Sequence, residues 1–149
     1  GNGLPIGVCM ARGEAAQLLG PGDHGSTYGG NPLCCAAAIA VLTTLRDDTV
    51  MQRARSVREV LLTALHGAIT DSDLIAEVRG RGLMIGIQPR VATKEIVQRG
   101  LESGLLINVA GGDTIRVLPP LVMTDEQAGE LGAGIANIIN DIAEQENAL

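Results

Sequence analysis

Gly80-Arg81-Gly82 stands between two short apolar runs, Leu74 to Arg79 and Leu83 to Gln88. No other part of the chain constrains its fold so tightly. Short apolar runs bounded by glycines predict strands, and the glycines let two strands meet closely. Pro89 ends the second run, because proline has no N–H to give a ladder. The glycine spacing from Gly80 to Gly86 is also that of a dinucleotide fingerprint. A strand follows it where a helix is required, however, and no βαβ unit frames it, so a tight strand pair is the better reading. Gly1-Asn2-Gly3 fails the same fingerprint, since Ile6 stands where the third glycine belongs.

The pattern continues after the hairpin. Ala92 to Glu102 predicts a modest helix stopped near Gly104, and Leu105 to Val109 and Thr114 to Leu118 predict short strands. Pro119-Pro120 forbids further ladder pairing. Thr124-Asp125-Glu126-Gln127 has the form of a capping box, and Leu131, Ile135, Ile138, Ile139 and Ile142 mark a closing amphipathic helix. Ahead of the hairpin, Asp47 or Asp48 can cap a long helix. Its face is Val50, Ala54, Val57, Leu61, Leu65 and Ile69, with Arg53, Arg55, Arg58 and Glu59 mostly on the wet side, and Thr70-Asp71-Ser72-Asp73 stops it. Strand, strand, helix, strand, strand, helix predicts a small α/β layer, a short antiparallel sheet with helices on one face.

The first part reads differently. Ile6 to Ala11 predicts a strand, and Glu14 to Leu19 a short helix ended by Gly20-Pro21-Gly22. Asn31-Pro32 is a good N-cap followed by a residue suited to the first helical position, so a helix runs from Pro32 to about Leu45. A boundary falls near residues 44–48. Turns like Gly1-Asn2-Gly3-Leu4-Pro5-Ile6-Gly7 usually follow an element, which leads us to expect that the chain is part of something larger.

Composition narrows the function. The net charge is -6, there is no Phe or Trp and only one Tyr, so neither a basic surface nor stacking aromatics are available for nucleic acid. Cys9, Cys34 and Cys35 make neither a disulfide framework nor a metal or redox pair, which suits a reducing cytoplasm. The longest apolar run, Cys34 to Leu42, is too short to cross a bilayer.

Two places carry candidate chemistry. In Asp23-His24-Gly25-Ser26-Thr27-Tyr28-Gly29-Gly30-Asn31-Pro32, two hydroxyls sit side by side among glycines at the head of a helix. That is one way to hold a phosphate, but from composition alone an ordinary capped turn is the better reading. Arg116, in the apolar strand Thr114 to Leu118, shares a face with Thr114 and Leu118. It is either an edge-strand charge or a fork for a carboxylate, which a guanidinium binds through two parallel hydrogen bonds. His24 and His66 have no ligand or triad spacing around them.

Taken together, these pieces resemble the class III aminotransferases, pyridoxal-phosphate enzymes of fold type I. Gly1 to Gly7 is similar to the segment just after the family's Schiff-base lysine, and His24 to Pro32 to its phosphate-contacting loop. Glu77-Val78-Arg79-Gly80-Arg81-Gly82-Leu83-Met84 resembles the small-domain hairpin. Leu105-Leu106-Ile107-Asn108, Ala110-Gly111-Gly112 and Ile115-Arg116 with Pro119-Pro120-Leu121 resemble the substrate-carboxylate strand. Within the family, Ala110 to Leu121 looks most like acetylornithine aminotransferases, with ornithine and succinylornithine aminotransferases as near alternatives.

The resemblance implies a fold, residues 1–46 being the end of the cofactor-binding large domain with a connecting helix and 47–149 the small C-terminal domain. It implies that Thr27 donates its hydroxyl and amide to the phosphate of pyridoxal 5′-phosphate, reaching across a homodimer interface. Ser26 would touch cofactor or substrate, and Arg116 would grip the α-carboxylate of the amino acid or of 2-oxoglutarate. The family's lysine would lie three residues before Gly1. Lys94, the one lysine present, falls on a predicted surface helix and is not its substitute, so the chain alone is expected not to transaminate. A module that only associates is the alternative from another class.

Overall fold

A computed structural model describes residues 2–148. The chain divides into two compact units, Gly1–Asp48 and Thr49–Leu149.

The first unit contains one long helix, α1 (Pro32–Leu45). Asn31 caps it as expected: its Oδ1 accepts from the Cys34 amide at 3.0 Å, and Pro32 fills the first helical position. Of the α1 side chains only Cys34 is buried, although the helix is apolar all round. Two sequence expectations fail in this unit. Ile6 to Ala11 forms no strand, because among the described residues nothing pairs with it and a strand takes its hydrogen bonds from neighbours. The expected helix at Glu14 to Leu19 is a short 3-10 helix, Gly13–Gln17, with no side-chain cap and no buried residue to hold a longer one. Gly1, the first residue of the glycine-rich turn, lies outside the described residues; Asn2 and Gly3 follow with φ of +53° and +109°.

The second unit is an antiparallel sheet under three helices. Helix α2 (Asp48–Ala68) comes first; the capping role expected of Asp48 falls on a side chain outside the described set. Then β1 (Ile75–Arg81) and β2 (Met84–Pro89) form the hairpin, α3 (Ile96–Glu102) follows, β3 (Asn108–Ala110) and β4 (Thr114–Val117) make a second antiparallel pair, and α4 (Asp125–Asn147) closes the fold. The strand order is β1-β2-β4-β3. In the hairpin Arg81 pairs with Met84 across a two-residue turn whose first position, Gly82, takes φ +56°, as such turns require. Gly80 has φ +120°, and a side chain there would collide with the Met84 carbonyl. Glycine is needed at both positions for conformation and not for a ligand.

Alternation sorts the strands into two faces. Ile85, Ile87, Ile115 and Val117 point inward and are nearly or fully buried, with Val78 and Val109 beside them. On that face α2 packs Ala54, Val57, Leu61 and Leu65, α4 packs Ile135, Ile138, Ile139 and Ile142, and α3 packs Ile96, all in one cluster. With no large aromatic available, the core is filled by branched aliphatics. Helices α2 and α4 pack so closely that a Cβ at Gly132 would strike the Leu61 carbonyl. Thr124 and Gln127 form the capping box of α4. Arg53 spans from α2 to the start of α4, bonding Asp125 at 2.7 Å and the Met123 carbonyl at 2.9 Å.

The shorter elements differ from expectation at their ends. Helix α3 begins at Ile96 and not Ala92, so Lys94 lies in the turn ahead of it. Strand β3 begins at Asn108 and not Leu105, since Leu105 returns its amide to the Gly100 carbonyl and closes the helix. Among the described residues no helix is long and apolar enough to cross a membrane.

Candidate functional site

Ser26 and Thr27 belong to the first unit and Arg116 to the second, so each site is built separately.

Ser26 opens a turn in which its carbonyl accepts from the Gly29 amide at 3.3 Å. Asn31 braces the turn from behind, its Nδ2 donating to the Tyr28 carbonyl at 2.9 Å while its Oδ1 caps α1. A side chain at Gly29 would press on Ser26, which keeps that wall of the turn bare. Ser26 and Thr27 are both exposed, and among the described residues neither hydroxyl makes a hydrogen bond. Ser26 borders a concavity of about 610 Å³ with His24, Tyr28, Gly29, Gly30, Asn31, Pro5, Ile6 and Gly7; Thr27 stands outside its lining. The capping by Asn31 occupies an amide at the start of α1, so donors for an anion come from the turn itself. Two uncommitted hydroxyls on a braced glycine turn fit an oxyanion such as a phosphate.

Arg116 lies on β4, which is a central strand flanked by β2 and β3. The edge-strand reading is therefore overturned: Pro119-Pro120 follows the strand and ends it without sitting on the border of the sheet. Arg116 pairs with Gly86 on one side and Asn108 on the other, and Gly86 pairs in turn with Arg79. Arg79, Gly86, Arg116 and Asn108 thus form one row across the sheet face opposite α2, α3 and α4. Two of the row's four residues are arginines, separated by a residue without a side chain.

The two arginines differ in commitment. Arg79 bonds Glu77, Gln88 and Thr114 at 2.8, 3.1 and 2.9 Å. Arg116 is exposed and makes no hydrogen bond or ion pair among the described residues. It borders a concavity of about 390 Å³ with Arg79, Gly80, Met84, Gly86, Asp113 and Thr114. A free guanidinium on a central strand, bordering a concavity, is equipped to bind a carboxylate bidentately. The commitment of Arg79 went unread in the sequence, because two of its three partners, Gln88 and Thr114, come from other strands.

The remaining candidates are not drawn into these sites. His24 borders the Ser26 concavity without a carboxylate or hydroxyl bonded to it. His66 is exposed on α2, and Lys94 is exposed. Cys9, Cys34 and Cys35 are free thiols. Among the described residues no group of His, Cys, Asp and Glu is placed to hold a metal.

Comparison with solved structures defines the class. Ornithine aminotransferase from Toxoplasma gondii superposes with a TM-score of 0.76 at 33% identity, over 91% of this chain and 33% of that one. Acetylornithine aminotransferase from Elizabethkingia anophelis gives 0.69 at 34% identity, over 85% of this chain and 33% of its own. The fold is that of fold type I aminotransferases, matched over part of their length. A family model for class-III aminotransferases matches residues 1–139. The acetylornithine aminotransferase of Mycobacterium bovis is 45% identical over 94% of this chain, and that of Corynebacterium efficiens 41% identical over 95%. The chain belongs to the class III aminotransferase family, and it spans about a third of the length of these curated relatives.

Proposed function

We propose that this chain is the C-terminal third of an acetylornithine aminotransferase. The enzyme would exchange an amino group between N-acetylornithine and 2-oxoglutarate in arginine biosynthesis, as a cytoplasmic homodimer. The observation that carries the reading is Arg116: a guanidinium without a partner among the described residues, on a central strand, bordering a concavity. 2-Oxoglutarate presents a carboxylate next to the carbon that takes up nitrogen, and N-acetylornithine, whose α-nitrogen is acetylated, presents its carboxylate at the other end of the carbon chain from the δ-amine it gives up; one arginine can receive each in its turn. Held in two places, the carboxylate limits where the reacting carbon can lie, which converts binding into orientation.

Thr27 holds the phosphate of pyridoxal 5′-phosphate through its hydroxyl and amide, in the partner subunit's site, and Ser26 beside it touches cofactor or substrate. Asn31 keeps this turn in shape by bonding on both sides of it. When bound, the cofactor would supply the electron sink for chemistry at the substrate carbon that bears the exchanging nitrogen. Lys94, exposed in the turn before α3, takes no part, so the lysine that bonds the cofactor is supplied by residues outside this sequence.

Ornithine or succinylornithine as donor would use the same carboxylate grip, and Arg116 does not distinguish them. Replacing Arg116 by Ala in the full-length enzyme should raise KM for the amino acid and for 2-oxoglutarate together. An unchanged KM for both would end the reading. The associating-module alternative predicts instead that the full-length protein carries no aminotransferase activity at all.

A further inference from the structure

A closed ring of side-chain hydrogen bonds lies on the open sheet face beside Arg116. Arg79 donates from Nη1 to Gln88 Oε1 at 3.1 Å and from Nη2 to Thr114 Oγ1 at 2.9 Å. Gln88 Nε2 donates to Asp113 Oδ2 at 2.7 Å, and Thr114 Oγ1 donates to Asp113 Oδ1 at 2.8 Å, which completes the circuit. Glu77 adds an ion pair to Arg79 at 2.8 Å. The ring joins β1, β2, β4 and the turn ahead of β4, around a Thr114 that is 7% exposed.

Its chemical consequence falls on Asp113. That residue is the one carboxylate bordering the Arg116 concavity. It precedes Arg116 by about 10 Å of strand, at about 3.3 Å per residue, a gap that an aspartate and an arginine side chain close together. Left loose, it would pair with the guanidinium, and an incoming carboxylate would have to displace it. In the ring both of its oxygens are occupied by neutral donors. Arg79 is meanwhile paired with Glu77, so among the described residues the unpaired cation bordering this concavity is Arg116.

We propose that the ring of Arg79, Gln88, Asp113 and Thr114 is a positioning device that keeps Asp113 off Arg116 and so holds the guanidinium ready for substrate. Gln88 and Thr114 are positioning residues, acting through Asp113. The inference rests on the assignment of Arg116 to the substrate carboxylate.

The test uses the full-length enzyme, with kcat and KM measured separately for the amino acid and 2-oxoglutarate. Gln88→Leu, which drops one tether, should raise both KM values roughly three- to fivefold, the scale of an exposed ion pair gained in competition, with kcat little changed. Adding Asp113→Asn should bring KM back to that of the unaltered enzyme, because the competing charge is gone. A structural role alone would leave the double variant as impaired as the single one, or more so. Asp113→Asn by itself keeps an acceptor for Thr114 and should leave KM unchanged or lower. If Gln88→Leu does not fold, this variant decides: a severalfold rise in its KM overturns the proposal. So does an unchanged KM in Gln88→Leu, or a double variant without rescue. Should Arg116→Ala raise KM while these variants fail, only the ring's role falls; should Arg116→Ala change nothing, the reading of Arg116 falls with it.

Discussion

At the scale of single residues, function rests on which polar groups the fold leaves uncommitted. Arg79 and Arg116 stand in one row, yet among the described residues the first is bonded to three side chains and the second to none. Burial does not separate them, since both are exposed; partners do. The same holds in the first unit, where Asn31 spends both ends of its amide on the backbone while Ser26 and Thr27 keep their hydroxyls free. Thr27→Ala in the full-length enzyme should lower affinity for pyridoxal phosphate roughly tenfold or more, since a hydrogen bond to a charged group is worth about 1.5–3 kcal/mol. Thr27→Ser should keep most of it. Equilibrium dialysis against the cofactor reads both, and equal affinity in Thr27→Ala and the unaltered protein would remove the phosphate role.

Among the elements, α2 and α4 hold the small unit together through two contacts that periodicity does not reveal. Gly132 is where the backbones of the two helices meet, and Gly132→Ala should cost about 2 kcal/mol by overpacking against the Leu61 carbonyl. Asn140 sits on the buried face of α4. It accepts from the Thr70 amide and hydroxyl at 3.1 and 3.0 Å and donates to the Ala68 carbonyl at 2.9 Å, so it terminates α2 from across the core. Asn140→Ala would strand those groups and should also cost about 2 kcal/mol. Urea melts of the chain measure both, and a midpoint unchanged in either variant would contradict that contact's role.

Helix α4 itself was legible: Thr124 with Gln127 marks its start, and its isoleucines keep helical spacing. So was the hairpin, from two glycines between apolar runs. What local pattern could not supply was strand order. A lone charge in an apolar strand left the edge-strand reading of Arg116 open, and only the order β1-β2-β4-β3 puts it inside the sheet. Ile6 to Ala11 misled for the converse reason, since an apolar run is a strand only when something pairs with it. The ring around Asp113 draws on residues 25 to 35 positions apart, a separation beyond any local signal.

On the scale of the whole molecule, the two units are built unequally. Residues 49–149 enclose an aliphatic cluster of their own, and expressed alone they should fold cooperatively. In residues 1–48, Val8, Met10, Leu18, Tyr28, Leu33, Ile39 and Leu42 are all exposed. Exposed apolar surface of that extent marks an interaction face or an aggregation risk. The 149-residue chain should therefore self-associate in light scattering while residues 49–149 stay monomeric; a monodisperse full chain would contradict this. The chain by itself should show no transamination.

The central claim is that the enzyme of which this chain is proposed to be a part binds its amino-acid substrate by the carboxylate through Arg116. The most direct measurement compares kcat/KM for N-acetylornithine with that for the same amine lacking its carboxylate, in the unaltered full-length enzyme and in Arg116→Ala. The account predicts that the unaltered enzyme strongly favours the amino acid and that Arg116→Ala loses roughly a hundredfold of that preference, the size of a charge-assisted pair of about 3 kcal/mol. An equal preference in both enzymes would contradict it.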